Sequence, residues 1–175
     1  MGLGITQLLT ALGNLLYHHQ KVKLYWPHII WIGFILFLHI QDWFITYQLR
    51  TRPVWRLTEV LFVLLYPITL YVITKIILPE RGKKQIADLE QYYYSKSRIF
   101  FGLLSAAILL AILFNILLTG NSLVSQTILI CFFGASLFIS ISANRQPLVH
   151  KIFAVLVLIG SIISVLLEKE EWVIR

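Results

Sequence analysis

Cysteine is nearly absent from this chain. Cys131 is the only cysteine among 175 residues, and it lies inside a long apolar run. A single thiol excludes both a disulfide framework and a zinc site built from several thiolates. The sequence therefore predicts that Cys131 is a small, buried apolar side chain.

Charged residues are also scarce, and their scarcity decides the class of protein. They make up 13% of the chain, whereas a typical soluble domain carries about 25%. The apolar residues that replace them form runs of about 20 residues, the length that a helix needs to cross a bilayer. The sequence predicts an all-α fold, a polytopic transmembrane helical bundle that forms a single integral membrane domain over residues 1–175.

Five apolar runs are long enough to be confident membrane spans, and turn-forming or basic segments separate them. The predicted spans cover about 24–49, 57–78, 99–119, 124–143 and 148–167. The domain is thus divided into an amphipathic segment 1–23, two spans in 24–79, a polar loop 80–97, three spans in 98–167 and a tail 168–175. Ile86, Leu89 and Tyr93 recur at helical spacing, so part of the loop is expected to form an amphipathic helix that runs into the third span.

The amphipathic segment leaves two alternatives open. Leucines recur at helical spacing over residues 2–17, while Thr and Gln side chains occupy another face. This pattern predicts either a helix that lies at the membrane interface or a short helix that lines the bundle as a sixth membrane helix.

Basic residues flank the apolar runs, and their distribution predicts the orientation. Ten Lys and Arg residues lie on the side of loop 80–97 and five on the other side. The excess places the loop in the cytoplasm, although Arg50, Arg52 and Arg56 form a cluster on the opposite side. The net charge of +7 therefore predicts contacts with membrane lipids rather than with nucleic acid.

Two ionisable residues lie inside the first predicted span, where charge is costly. His39 is near its middle and Asp42 follows one helical turn later, so both point to nearly the same face. One interpretation is a proton or cation relay, because an intramembrane carboxylate is by default a functional residue. The other is a polar clamp in which Asp42 bonds to His39, Asn115 or an arginine. The predicted intramembrane polar site comprises His39, Gln41, Asp42, Glu59 and Asn115.

Two further groups of residues predict contacts. A tyrosine triplet followed by an arginine precedes the third span, and it fits either an interfacial aromatic belt or a docking surface for a cytoplasmic protein. This group is Tyr92, Tyr93, Tyr94 and Arg98. Small residues in the last two spans predict close helix packing, within the bundle or in a homo-oligomer. They are Gly134, Ser136, Ser140, Gly160 and Ser164.

Cofactor and metal sites are not predicted. His28 and His39 share a helical face, but the other spans offer only His150 as a facing haem ligand. Paired metal motifs, nucleophile elbows and phosphate-binding loops are absent. The sequence thus favours a non-enzymatic protein, without a motif that decides the question.

The order of several features resembles uncharacterised small bacterial multi-pass integral membrane proteins. The matching features are His39-Ile40-Gln41-Asp42-Trp43, Tyr66-Pro67, Leu78-Pro79-Glu80, Asp88-Leu89 with Tyr92-Tyr93, and Arg98-Ile99-Phe100-Phe101. The resemblance covers residues 39–101 and implies a bacterial inner membrane. Because such proteins have no assigned activity, it implies nothing about function.

Three classes of function stay open at this point. The leading prediction is an oligomeric channel or transport subunit, or a membrane sensor, that uses the polar site of the first span. The second is a membrane enzyme or redox subunit that acts on lipid or quinone. The third is a structural anchor that holds a larger complex through the loop 80–97.

Overall fold

Six α-helices form the fold in the described part of the chain. The structure is a computed structural model that describes residues 2–17, 22–79, 88–142 and 146–167. The helices are α1 (Gly2–Tyr17), α2 (Trp26–Gln48), α3 (Leu57–Ile77), α4 (Leu89–Leu117), α5 (Thr127–Ile141) and α6 (Pro147–Leu167). No β-strand occurs in these ranges, which confirms the all-α prediction.

Five of the helices, α2 to α6, are long and apolar enough to cross a membrane when the short 3₁₀ turns beside α2 and α5 are included. This confirms the predicted number of spans, and the fold is that of a multi-pass helical membrane protein. The remaining helix, α1, has 16 residues and is about 24 Å long at 1.5 Å per residue. It is therefore shorter than the ~30 Å hydrocarbon core of a bilayer.

The helices pack around α2 and α4. Helix α4 contacts α3, α5 and α2, while α2 also contacts α6 and α1, and α1 contacts α3. Trp31 of α2 is completely buried, and its ring meets Phe100 and Phe101 of α4 and Phe153 of α6 at centroid distances of 5.1–5.5 Å. This aromatic cluster holds three spans together.

Helix α4 begins about ten residues before the predicted third span, in the segment where an amphipathic helix running into that span is expected. Asp88 caps it by accepting hydrogen bonds from the backbone N–H groups of Glu90 and Gln91, at 2.8 and 3.2 Å. Lys23 donates to the Asp88 carboxylate at 3.1 Å and lowers the pKa of that carboxyl group. The cap explains why the polar residues 89–97 continue the helix instead of belonging to a loop. The rest of the predicted loop, 80–87, lies outside the described residues.

The small residues of α5 and α6 have different surroundings. Ser136 and Ser140 are buried against α4: Ser136 donates to the carbonyl of Phe101 at 3.0 Å and Ser140 to that of Arg98 at 2.9 Å. Ser164 is half-buried. Gly134 and Gly160 are exposed and would have open space around an added Cβ. Cys131 is also exposed, so the prediction that it is buried is wrong. It precedes Ser136 by five positions, which places it on a different side of α5 from the face that packs against α4.

Candidate intramembrane polar site

His39 is almost entirely buried in the middle of α2, with 1% of its surface exposed. Its Nδ1 lies 2.8 Å from the carbonyl oxygen of Ile35, one turn earlier in the same helix. Because a carbonyl only accepts, Nδ1 carries the hydrogen, and the Nε2 of the neutral ring then presents a lone pair. His39 Nε2 is buried and has no hydrogen-bond partner within the described part of the chain.

Asp42 lies on the same face, one turn further along α2, and is 6% exposed. Its Oδ2 is buried, and no group in the described ranges donates a hydrogen bond to it. Two buried acceptor atoms, on an imidazole and on a carboxylate, therefore lie on adjacent turns of a membrane-spanning helix.

Helix α1 covers this pair. The backbone at Gly4 lies so close to the imidazole that an added Cβ would overlap His39 Nε2. One turn later, Gln7 donates its Nε2 hydrogen to the Tyr71 hydroxyl of α3 at 3.4 Å. Because α1 contacts the middle of α2, it lies against the bundle. This arrangement agrees with the second alternative drawn from the sequence, a short helix that lines the bundle.

The other residues of the predicted site are engaged elsewhere. Glu59 belongs to the first turn of α3, where it accepts from the backbone N–H of Arg56 at 3.1 Å and pairs with Arg52 at 3.0 Å. Asn115 of α4 donates to Gln126 at 2.7 Å, beside the start of α5. Gln41 is half-buried. The structure thus places His39 and Asp42 on one face of α2, while Glu59 and Asn115 form hydrogen bonds with other partners.

The tyrosine triplet lies at the other end of α2, inside the bundle. Tyr92 donates to backbone carbonyls at the end of α3 at 2.9–3.0 Å. Tyr93 is buried and its hydroxyl lies 2.8 Å from His150 Nδ1 on α6, while the hydroxyls of Tyr94 and Tyr25 are 2.7 Å apart. The triplet therefore ties four helices together. Its docking role remains a prediction, as does that of Arg98, an exposed residue whose Nε donates to the Ser140 carbonyl at 3.3 Å.

Several of these contacts could not be found from the sequence. Gln7 and Gly4 occupy a segment that the sequence describes only as amphipathic, and no local pattern shows that it docks on His39. Tyr93 and His150 are 57 positions apart. Their pairing becomes visible only when α4 and α6 are placed side by side.

An apolar groove lies between α2 and α6, on a different face of α2 from Asp42. Its volume is about 360 Å³, and its walls include Gly33, Phe34, Phe37 and Ile162. Ser161 is the one polar side chain among the described lining residues, and its hydroxyl donates to the carbonyl of Val157 at 2.8 Å. The groove thus has an apolar surface and offers little to orient a polar headgroup.

Comparisons with known proteins give no indication of the function. No protein family, curated protein or solved structure matches the chain. Among the described residues there is also no group of three His, Cys, Asp or Glu side chains that could hold a metal ion.

Proposed function

We propose that the chain is a channel or transport subunit, or a membrane sensor, whose working site is the His39–Asp42 pair of α2. The observation that supports this is the burial, inside a membrane span, of two acceptor atoms that have no hydrogen-bond partner among the described residues. A carboxylate near the bilayer centre costs about 2.5–3.5 kcal/mol on insertion scales. A structural role would normally recover that free energy through hydrogen bonds or an ion pair.

The polar-clamp alternative has less support from the contacts. His39 uses its Nδ1 hydrogen within its own helix and leaves Nε2 unpaired. The amide of Asn115 is bonded to Gln126. Arg50, two turns from Asp42, donates to the carbonyl of Tyr47, and Arg52 is paired with Glu59. The partners named for a clamp thus have other bonds, which favours an ion-handling role for Asp42.

The proposal is tested by ion flux into liposomes that contain the purified full-length chain. Asp42→Asn replaces the carboxylate with a neutral amide of nearly the same shape. We expect this substitution to abolish flux or ion-dependent signalling. Glu90→Gln makes the same chemical change at a partly exposed carboxylate that pairs with Lys23, and it should retain wild-type flux. Wild-type flux in a folded Asp42→Asn protein would make Asp42 a packing residue and refute the proposal.

An oligomeric assembly in the membrane is part of the same proposal. Gly134 and Gly160 lie on exposed faces of α5 and α6 with open space around them, and small residues permit close approach of neighbouring helices in membranes. Crosslinking in liposomes tests this: Gly134→Leu together with Gly160→Leu should reduce the oligomeric species. Unchanged crosslinking would exclude these faces as the interface.

The bacterial inner membrane and a cytoplasmic loop 80–97 are likewise proposals. The bacterial inner membrane rests on the resemblance of residues 39–101 to small bacterial multi-pass proteins, and the cytoplasmic side of the loop rests on the excess of Lys and Arg there. Labelling of single cysteines, introduced into the loop in a Cys131→Ser background, tests the orientation in intact cells. An impermeant thiol reagent should reach the loop only after the cells are opened.

The lipid or quinone enzyme is a weaker second candidate. The groove between α2 and α6 suits an apolar chain, but a substrate headgroup also needs precisely placed polar groups. Ser161, the polar residue of its described lining, donates its hydrogen within α6. The groove is therefore weaker support for a lipid or quinone enzyme than the acceptor atoms of His39 and Asp42 are for ion handling.

A further inference from the structure

We infer that the turn between α2 and α3 binds the phosphate group of an anionic phospholipid. The turn covers residues 49–56, and its basic groups are the guanidinium groups of Arg50, Arg52 and Arg56. The inference is independent of the proposed function, because this turn lies at the ends of the two spans and not at the buried polar pair of α2. It assigns a ligand to a basic cluster that otherwise has no role in the account.

The turn carries excess positive charge on the side of the membrane that has fewer basic residues. Its three arginines are balanced by one acidic residue, Glu59, and no other charged residue occurs between Asp42 and Lys75. Basic residues on this side oppose the bias that orients membrane spans, so orientation does not account for them. All three are arginine, whose planar guanidinium group binds phosphate through two parallel hydrogen bonds, a geometry that lysine does not reproduce.

Arg52 is held in place by its neighbours. Its Nη2 pairs with the Glu59 carboxylate at 3.0 Å, and its Cζ lies 5.0 Å from the centre of the Trp55 ring. Its Nη1 is covered and has no hydrogen-bond partner among the described residues. Arg52 therefore offsets the charge of Glu59, and the other two arginines supply the excess positive charge of the turn.

Arg56 presents its guanidinium group to the ligand. Its backbone N–H donates to the second carboxylate oxygen of Glu59 at 3.1 Å, so Arg56 and Arg52 meet at one carboxylate. The Arg56 side chain is exposed, and none of the ion pairs formed within the described ranges involves it. Because a guanidinium group has five N–H donors, this side chain can hold a phosphate without giving up a bond inside the protein.

Aromatic and apolar side chains around the arginines indicate that the phosphate belongs to a lipid. Arg50 is exposed and its Cζ lies 3.7 Å from the centre of the Tyr47 ring, on which Trp43 stacks at 5.7 Å. Tyr and Trp are typical of the membrane–water interface. Val54 and Leu57 are 71% and 74% exposed. A phospholipid joins a phosphate to apolar chains and so fits both kinds of surface, whereas a soluble phosphate would contact the arginines alone.

The experiment measures which lipid lies beside the turn in liposomes that contain the full-length protein. A bimane fluorophore is attached at Val54→Cys in a Cys131→Ser background. Its quenching by brominated phosphatidylglycerol is compared with its quenching by brominated phosphatidylcholine, which gives the relative association constant of the two lipids at this position. The turn with its three arginines should favour phosphatidylglycerol by at least about fivefold, the equivalent of roughly 1 kcal/mol for one basic residue at an anionic membrane surface. Equal association of the two lipids would overturn the inference.

Variants locate the preference. Arg56→Gln should lower it about fivefold, while the backbone N–H of residue 56 keeps its bond to Glu59. Glu59→Gln removes the one negative charge of the turn and should raise the preference about fivefold, a gain that unfolding cannot produce. Lys75→Gln is the control, because Lys75 is an exposed cation in the last turn of α3, at its opposite end. An unchanged preference in Arg56→Gln, or an equal loss in Lys75→Gln, would contradict the assignment.

Two further arms identify the ligand. Inorganic phosphate, added at constant ionic strength, should leave the preference for phosphatidylglycerol unchanged, and its loss would make the ligand a soluble anion and overturn the lipid assignment. The acidic residues of the tail, which is predicted on the same side of the membrane, are Glu168, Glu170 and Glu171. A preference that is absent from the wild type and arises only when these three are changed to Gln would assign the arginines to the tail and overturn the inference.

Discussion

The burial of Trp31 makes a quantitative prediction about stability. Trp31→Ala removes a completely buried ring that meets four aromatic rings at 5.1–5.7 Å, those of Phe34, Phe100, Phe101 and Phe153. In a membrane, the apolar environment of lipid makes hydrophobic transfer a small contribution, so the loss comes mainly from packing. The loss in the free energy of unfolding should therefore depend on the ring contacts that are removed and only weakly on the apolar area that they bury.

The magnitude follows from those contacts. Each aromatic pair contributes about 0.5–1.5 kcal/mol, and four pairs give roughly 2–6 kcal/mol. The indole Nε1 is buried and unpaired in the described structure, and its removal offsets part of the loss. We therefore expect Trp31→Ala to lower the free energy of unfolding by about 2–4 kcal/mol.

Trp43 provides a matched control on the same helix. It is 45% exposed, and its ring contacts are with Phe44 and Tyr47, both in α2. Trp43→Ala should change the free energy of unfolding by less than about 1 kcal/mol. The measurement is reversible unfolding in bicelles, by steric trapping or by titration with a denaturing detergent. Equal losses for the two variants would refute the assignment of Trp31 to the packing centre.

Three further changes have expected outcomes. Gly4→Ala should displace α1, because the methyl group overlaps His39; faster amide exchange throughout α1 would show this, and unchanged exchange would contradict it. Ser136→Ala removes a hydroxyl bonded to α4 and should cost only about 0.6 kcal/mol in the same unfolding assay, the average for interhelical bonds in membranes; a loss as large as that of Trp31→Ala would contradict this. Lys23 lowers the pKa of Asp88 below its usual 3.8, so this group stabilises the folded state above pH ~4 and loses the effect as pH falls through the lowered pKa. The first amides of α4 should then exchange faster in acid, and Asp88→Asn should remove most of that pH dependence.

The membrane spans were predictable because their signal is local. A run of about 20 apolar residues specifies a membrane helix without any knowledge of its neighbours, and α3 and α6 begin within one residue of their predicted starts. The start of α4 was predicted only in part. The helical spacing of Leu89 and Tyr93 indicated a helix that runs into the third span, but the polarity of these residues assigned them to a loop, whereas the Asp88 cap begins a helix whose first turns are polar. Hydropathy does not distinguish these two cases.

The candidate site was only partly predictable, for a physical reason. His39 and Asp42 are identified by the free energy that their burial costs, which depends on depth in one helix. Gln7 is not identifiable in this way, because its position at the site depends on how α1 docks against α2 and α3. Glu59 was grouped with Asp42 because the turn between the two helices places both toward the same side of the membrane, but its carboxylate accepts from Arg56 and Arg52 instead.

The most direct test of the ion site is whether Asp42 reacts in the membrane with the hydrophobic reagent dicyclohexylcarbodiimide, which modifies carboxyl groups in apolar surroundings. A working site must be reachable by its ion, whereas a packing clamp is sealed. Peptide mass spectrometry of the full-length chain in liposomes should find the label on Asp42, together with loss of flux, and saturating cation should slow the labelling. An unlabelled Asp42, or labelling that leaves flux intact, would contradict the account.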